Sequence, residues 1–156
     1  MTADGPALLL VDDNDDNRYT LSRRLTRLGY TNLAMAVDGR EALDLLRTRS
    51  FDLVLLDVMM PEMNGYEVLA EMKTDARLRQ LPVIMISALD QVESVIRCIQ
   101  LGAEDYLPKP FNPTLLKARV GASLEKKRLR DEVDAHLARI EKDLEWARKI
   151  QLAMVP

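Results

Sequence analysis

Apolar and polar positions follow one another along this chain in two rhythms. Residues 7–11, 53–56 and 82–86 are continuous apolar runs, with shorter stretches at 33–36 and 105–107. Runs of this length, bounded by turn or charged residues, predict strands, and their lack of in–out alternation predicts a sheet covered on both faces. Between the runs, apolar residues recur at helical spacing: Tyr19, Leu21, Leu25 and Leu28; Ala42, Leu43, Leu45 and Leu46; Tyr66, Val68, Leu69 and Met72; Val92, Val95, Ile96 and Ile99. The punctuation agrees. Asn14, Asp15 and Asp16 suit the positive end of the first helix and Gly29 closes it. Asp38-Gly39 opens the second, Gly102 ends the fourth, and Asn112 before Pro113 opens a fifth. Five strand–helix units in alternation predict an α/β fold built on a doubly wound, five-stranded parallel sheet, because parallel neighbours need helical crossovers.

From Glu125 the pattern changes. No Gly or Pro occurs between Ser123 and Val155, and Val133, Leu137, Ile140, Leu144, Ala147, Gln151 and Met154 recur at spacings of four and three. That is a heptad seam with one polar member, so the fifth helix is expected to extend into a coiled coil. A stripe this narrow predicts pairing with a second copy of the chain. The expected division is therefore a globular domain over 1–124 and a helical coiled-coil linker over 125–156.

The strand ends carry the chemistry. The run 53–56 ends in Asp57, and the run 7–11 ends in Asp12 and Asp13. The carboxyl ends of parallel strands are where open α/β sheets build their sites. Crowded carboxylates repel, so the arrangement calls for a cation among them. With oxygen donors only, no nearby His and one remote Cys, hydrated Mg2+ is the expected ion. Ser87 and Lys109 come from the ends of the remaining strands. Together these groups are what a phosphoryl group on a carboxylate requires: a nucleophile, a hydroxyl donor, and cations to neutralise its oxygens.

Composition narrows the classes without naming a reaction. A net charge of −3 gives no electrostatic argument for nucleic acid or an anionic membrane. The single Cys98 excludes an internal disulfide and fits a reducing compartment. No apolar stretch approaches the roughly 20 residues that span a bilayer, and residues 1–6 lack signal-peptide features. A cytoplasmic protein with neither nucleic-acid nor membrane partners is the expectation. Cys98 and His136 read as ordinary helix residues, and Trp146 as an interface or linker residue.

The motifs Val11-Asp12-Asp13, Asp57 with Met60-Pro61-Glu62-Met63-Asn64-Gly65, Ile86-Ser87-Ala88, and Asp105-Tyr106-Leu107-Pro108-Lys109-Pro110-Phe111 occur in fixed order. In this set, over residues 7–124, the chain resembles the receiver domains of two-component response regulators. The resemblance implies a flavodoxin-like sheet of order 2-1-3-4-5, with Asp57 phosphorylated by the phosphohistidine of a histidine kinase. It implies Mg2+ bound by Asp13, Asp57 and the backbone carbonyl of Met59, with Asp12 acting through a water. Lys109 would contact the phosphoryl group, with a cis bond to Pro110. Ser87 and Tyr106 would form a switch pair, hydroxyl moving to phosphate and ring following inward. Met59, two residues past Asp57, has no polar side chain to position water, so a long-lived phosphorylated state is expected. A rival resemblance is to haloacid dehalogenase-like phosphatases, which share an acidic strand end, Mg2+ and a lysine, but carry a second aspartate where this chain has Met59.

Residues 143–156 are similar to the segment that precedes the catalytic domain of bacterial metal-dependent serine/threonine phosphatases, on Ala147, Ile150-Gln151 and Pro156. This likeness implies a regulatory, non-enzymatic receiver that signals through a parallel homodimeric coil to a C-terminal phosphatase effector. A nucleotide or diguanylate cyclase effector is the alternative.

Overall fold

The computed structural model describes residues 5–88 and 92–154. Ten elements follow in strict alternation: β1 (Leu8–Val11), α1 (Asp15–Arg27), β2 (Leu33–Ala36), α2 (Gly39–Thr48), β3 (Leu53–Asp57), α3 (Gly65–Thr74), β4 (Val83–Ser87), α4 (Val92–Gln100), β5 (Asp105–Pro108) and α5 (Pro113–Ala153). The strands form one parallel sheet of order β2-β1-β3-β4-β5, the order expected. Two compact units divide between Leu124 and Glu125.

The apolar runs are continuous because both sheet faces are covered. Leu9, Val11, Val54, Leu56, Val83 and Met85 face one core with Leu43 and Leu46 of α2 and Val68, Leu69 and Met72 of α3. Leu8, Leu10, Leu53, Leu55, Ile84 and Ile86 face the other, with Leu21 and Leu25 of α1 and Leu116 and Val120 of α5. Successive residues of a strand point to opposite faces, so each central strand serves both cores. Burying each such side chain fully contributes about 1.5–3 kcal/mol.

Helix starts follow their sequence signals. Asn14, Asp38 and Asn64 are N-caps, and each side chain accepts a backbone N–H of its own first turn. Asn64 and Glu67 complete a reciprocal capping box. Asn112 Oδ1 accepts from the N–H groups of Thr114 and Leu115 ahead of Pro113 at the first helical position. Gly65 is obligatory on steric grounds, since a Cβ there would collide with the backbone oxygen of Asp57.

Two helical faces differ from the periodicity. Val92, Ile96 and Ile99 are exposed, and α4 is buried instead through Ser94 and Cys98. Of the apolar set only Val95 is half-buried. In α1, Tyr19 is exposed whereas Arg18 is buried, because the guanidinium finds acceptors at the sheet edge.

In the second unit the helix carries i,i+3 and i,i+4 ion pairs, among them Lys127–Asp131 at 2.6 Å and Arg128 with Glu125 and Glu132. Its apolar residues have no cover: Val133 is 56% exposed, Leu137 52%, Ile140 40% and Leu144 62%. Ala147 and Gln151 are exposed on the same helix, and Met154, one residue past its end, is exposed too. Among the described residues, no helix is long and apolar enough to cross a membrane.

Candidate functional site

Register delivers the site. Val11 pairs with Leu56 and Asp57 with Ile86, so Asp12 and Asp57 leave adjacent strands at one level, with Ser87 one residue further along β4. Ser87 pairs with Pro108, and the N–H of Lys109 donates to the Ser87 carbonyl at 2.8 Å. Five polar residues separated by nearly a hundred positions of sequence therefore meet at one edge, at the point where strand order reverses between β1 and β3.

Carboxylate oxygens of Asp12, Asp13 and Asp57 all lie within 4.8 Å of one another. Asp12 and Asp57 are buried, at 5% and 4% exposure, while Asp13 faces solvent. Lys109 Nζ reaches both buried acids, 3.0 Å from Asp12 Oδ2 and 3.4 Å from Asp57 Oδ2. The peptide bond from Lys109 to Pro110 is cis. Three carboxylates and one ammonium leave a formal charge of −2, which suits a divalent cation. An all-oxygen donor set fits a hard ion of the Mg2+ kind.

Asp57 bears the strain of this crowding. Burial first, and then the negative charge of Asp12, push its carboxyl up from 3.8 to about 6, against the opposing pull of Lys109 and the Met59 N–H. That N–H donates to Asp57 Oδ1 across 3.4 Å, a long and weak contact, and the Met59 side chain is 63% exposed. Ser87 is fully buried, and Tyr106, paired with Met85 in the sheet, is partly buried against the core.

Arg18 escaped the sequence reading. Its Nη1 donates to the Asp12 carbonyl at 2.6 Å and its Nη2 bonds Asp15. Asp12 is thereby fixed from every side: its N–H bonds Ala36, its Oδ1 accepts from Asn14, its Oδ2 from Lys109 and its carbonyl from Arg18. The signal available in sequence was the i,i+3 spacing of Arg18 from Asp15 in the first turns of α1.

A doubly wound sheet with an acid cluster and a lysine at its switch point defines a class of α/β proteins whose site lies at the carboxyl ends of the strands. Residues 8–121 match the response regulator receiver domain family, and the chain belongs to it. A probable transcriptional regulator, ycf27, of Cyanidium caldarium is 43% identical over 119 residues, 76% of this chain and 46% of that protein. A probable cyclic di-GMP phosphodiesterase of Vibrio cholerae is 40% identical over 124 residues, 80% of this chain and 28% of its own length. The receiver domain of Francisella response regulator 1452 superposes with a TM-score of 0.72 at 32% identity, covering 78% of this chain and 98% of that one. The chain spans less than half the length of the two curated relatives.

The raised acid predicts a pH-dependent stability. Between about pH 4 and 6 the folded chain holds a proton on Asp57 that the unfolded chain releases, so stability falls as pH rises through that window. In metal-free buffer, Asp57→Asn should stabilise the protein at pH 7.5 by up to about 3 kcal/mol, at about 1.36 kcal/mol per pKa unit. The gain should shrink toward pH 4; thermal melts across that range with EDTA present check this, and a pH-independent gain would contradict it.

Proposed function

We propose that this chain is a phosphoacceptor receiver whose Asp57 takes a phosphoryl group from the phosphohistidine of a histidine kinase, with Mg2+ held by Asp12, Asp13, Asp57 and the Met59 backbone carbonyl. The observation that carries the reading is Lys109 Nζ lying between the buried carboxylates of Asp12 and Asp57. An oxygen of Asp57 attacks phosphorus, the P–N bond breaks, and the imidazole leaves with the electron pair. Lys109 neutralises charge on the phosphoryl oxygens, and the bound ion would supply further neutralisation at the same place. Asp12, held by four hydrogen bonds, keeps the metal side of the pocket in place. The Ser87 hydroxyl donates to the phosphoryl group, and Tyr106 follows as the second half of the switch.

Output runs through residues 125–156 as a parallel homodimeric coil with the seam Val133, Leu137, Ile140, Leu144, Ala147, Gln151 and Met154. The exposure of that seam supports the reading. The likeness of residues 143–154 to phosphatase linkers favours a serine/threonine phosphatase effector; Val155 and Pro156, the end of that likeness, lie outside the described residues. The setting is the bacterial cytoplasm, where two-component kinases present phosphohistidine.

Incubation with acetyl phosphate and Mg2+, followed by intact-mass measurement, should add one phosphoryl group per chain. Asp57→Asn should abolish the adduct and Lys109→Ala should slow its formation about a hundredfold. Multiple turnover of small phosphate esters without a lasting adduct would instead favour the dehalogenase-like hydrolase. Once formed, the acyl phosphate should decay slowly, and Met59→Asn or Met59→Glu should shorten its life several-fold; equal decay rates would remove Met59 from the account. For the coil, sedimentation should give a dimer that Leu137→Glu with Leu144→Glu converts to a monomer, and a monomeric wild type with and without beryllofluoride would refute pairing.

A further inference from the structure

Two side chains of α4 converge on one side chain of α3. The Tyr66 hydroxyl lies 2.5 Å from Ser94 Oγ, and the Arg97 guanidinium sits 4.2 Å from the centre of the Tyr66 ring. Cys98, one turn on from Ser94, is fully buried in the apolar core beside this pair. Ser94, Arg97 and Cys98 stand at i, i+3 and i+4, so they form one stripe on α4. Ser94 and Cys98 are also the two buried residues of α4, whereas Val92, Ile96 and Ile99 are exposed. Tyr66 therefore adds a hydroxyl and a ring face to what seats this helix, beside the apolar burial of Cys98.

The other end of Tyr66 leads to the carboxylate site. Tyr66 follows Gly65, whose N–H donates to the Val58 carbonyl at 2.9 Å and whose Cα lies so close to the Asp57 backbone oxygen that no Cβ fits. The Asn64–Glu67 capping box fixes this first turn of α3 as a unit. Movement of the Asp57–Val58 backbone is thus passed to Gly65 with little slack, and Tyr66 is the next residue.

We propose that Tyr66 is a positioning residue that couples the charge state of Asp57 to the seating of α4, by a route separate from Ser87 and Tyr106. The inference rests on the reading of Asp57 as phosphoacceptor. With Asp57 free the clasp is closed, as the Ser94 and Arg97 contacts describe. Covalent or ionic occupation of the acid pocket shifts the 57–65 backbone, turns the Tyr66 ring, and loosens its bond to Ser94. This is a two-state element biased from the pocket.

The chain's only cysteine reports on the clasp, because Cys98 lies beneath it and is fully buried. Thiol labelling with an aromatic disulfide reagent then proceeds through local opening of the α3–α4 seam. Adding Mg2+ and beryllofluoride to the wild type should speed labelling at least about threefold, and Tyr66→Phe should speed it about five- to tenfold without either, the effect of one lost hydrogen bond. In Tyr66→Phe the response to beryllofluoride should flatten, while the 19F signal of bound beryllofluoride keeps its affinity within about twofold. Ser94→Ala removes the same bond from the other helix and should reproduce this pattern, so the test survives poor folding of one variant. A wild type that binds beryllofluoride with no change in labelling, or a Tyr66→Phe variant that keeps the full response, overturns the coupling. No 19F signal of bound beryllofluoride on the wild type overturns the phosphoacceptor reading first, and the coupling with it.

Discussion

Mutual repulsion of three carboxylates at the sheet edge is the constraint on which the rest depends. Unpaired charge in a buried place is costly, and Asp12 and Asp57 are both nearly inaccessible. One lysine between them offsets part of that cost and leaves a net charge of −2 with Asp13. The pocket is thus unsatisfied by design of the sequence, and its raised Asp57 pKa expresses the residual conflict. Such a site gains from any added positive charge or from conversion of a carboxylate to a bound ester. The pocket as it stands already stores electrostatic cost, which any change of charge there would relieve.

Holding that conflict in place requires rigidity beneath it. The central strands β1 and β3 are buried along their whole length and served by helices on both faces. Closely packed interiors do not deform continuously, so displacement at the edge is taken up by loops and by loosely seated elements. The β3–α3 loop is one such place. Gly65 touches the backbone of Asp57, and the only described positive-φ residue other than glycine, Glu62, lies in the same loop.

Much of this was legible in sequence, and for a physical reason. Apolar runs without alternation can only be strands covered on both faces, and five of them separated by helical patterns leave little choice of architecture. The acids, Ser87 and Lys109 end those runs, so strand ends marked the site before any geometry was known. What stayed hidden depended on neighbours that no local pattern encodes. Arg18 drew no notice in the sequence, yet it is buried with its guanidinium on the Asp12 carbonyl. Val92, Ile96 and Ile99 looked like one apolar helix face, and the structure turns them outward while Ser94 and Cys98 are buried. Cys98 looked inert and is the deepest residue of that seam.

The way α4 is attached follows from its role as much as from its sequence. A helix seated by two or three large apolar residues gains about 1.5–3 kcal/mol from each. One neutral hydrogen bond contributes about 0.5–1.5 kcal/mol, and an exposed cation–π contact about 0.5–1. By those magnitudes α4, with Ser94 and Cys98 as its buried residues, has smaller apolar anchors than α3, where Val68, Leu69 and Met72 are buried. A signal of a few kcal/mol at Asp57 cannot unseat α3, but it is large enough to compete with what holds α4. The polar clasp therefore sets the threshold: strong enough to define one resting position, and weak enough for the carboxylate site to overrule.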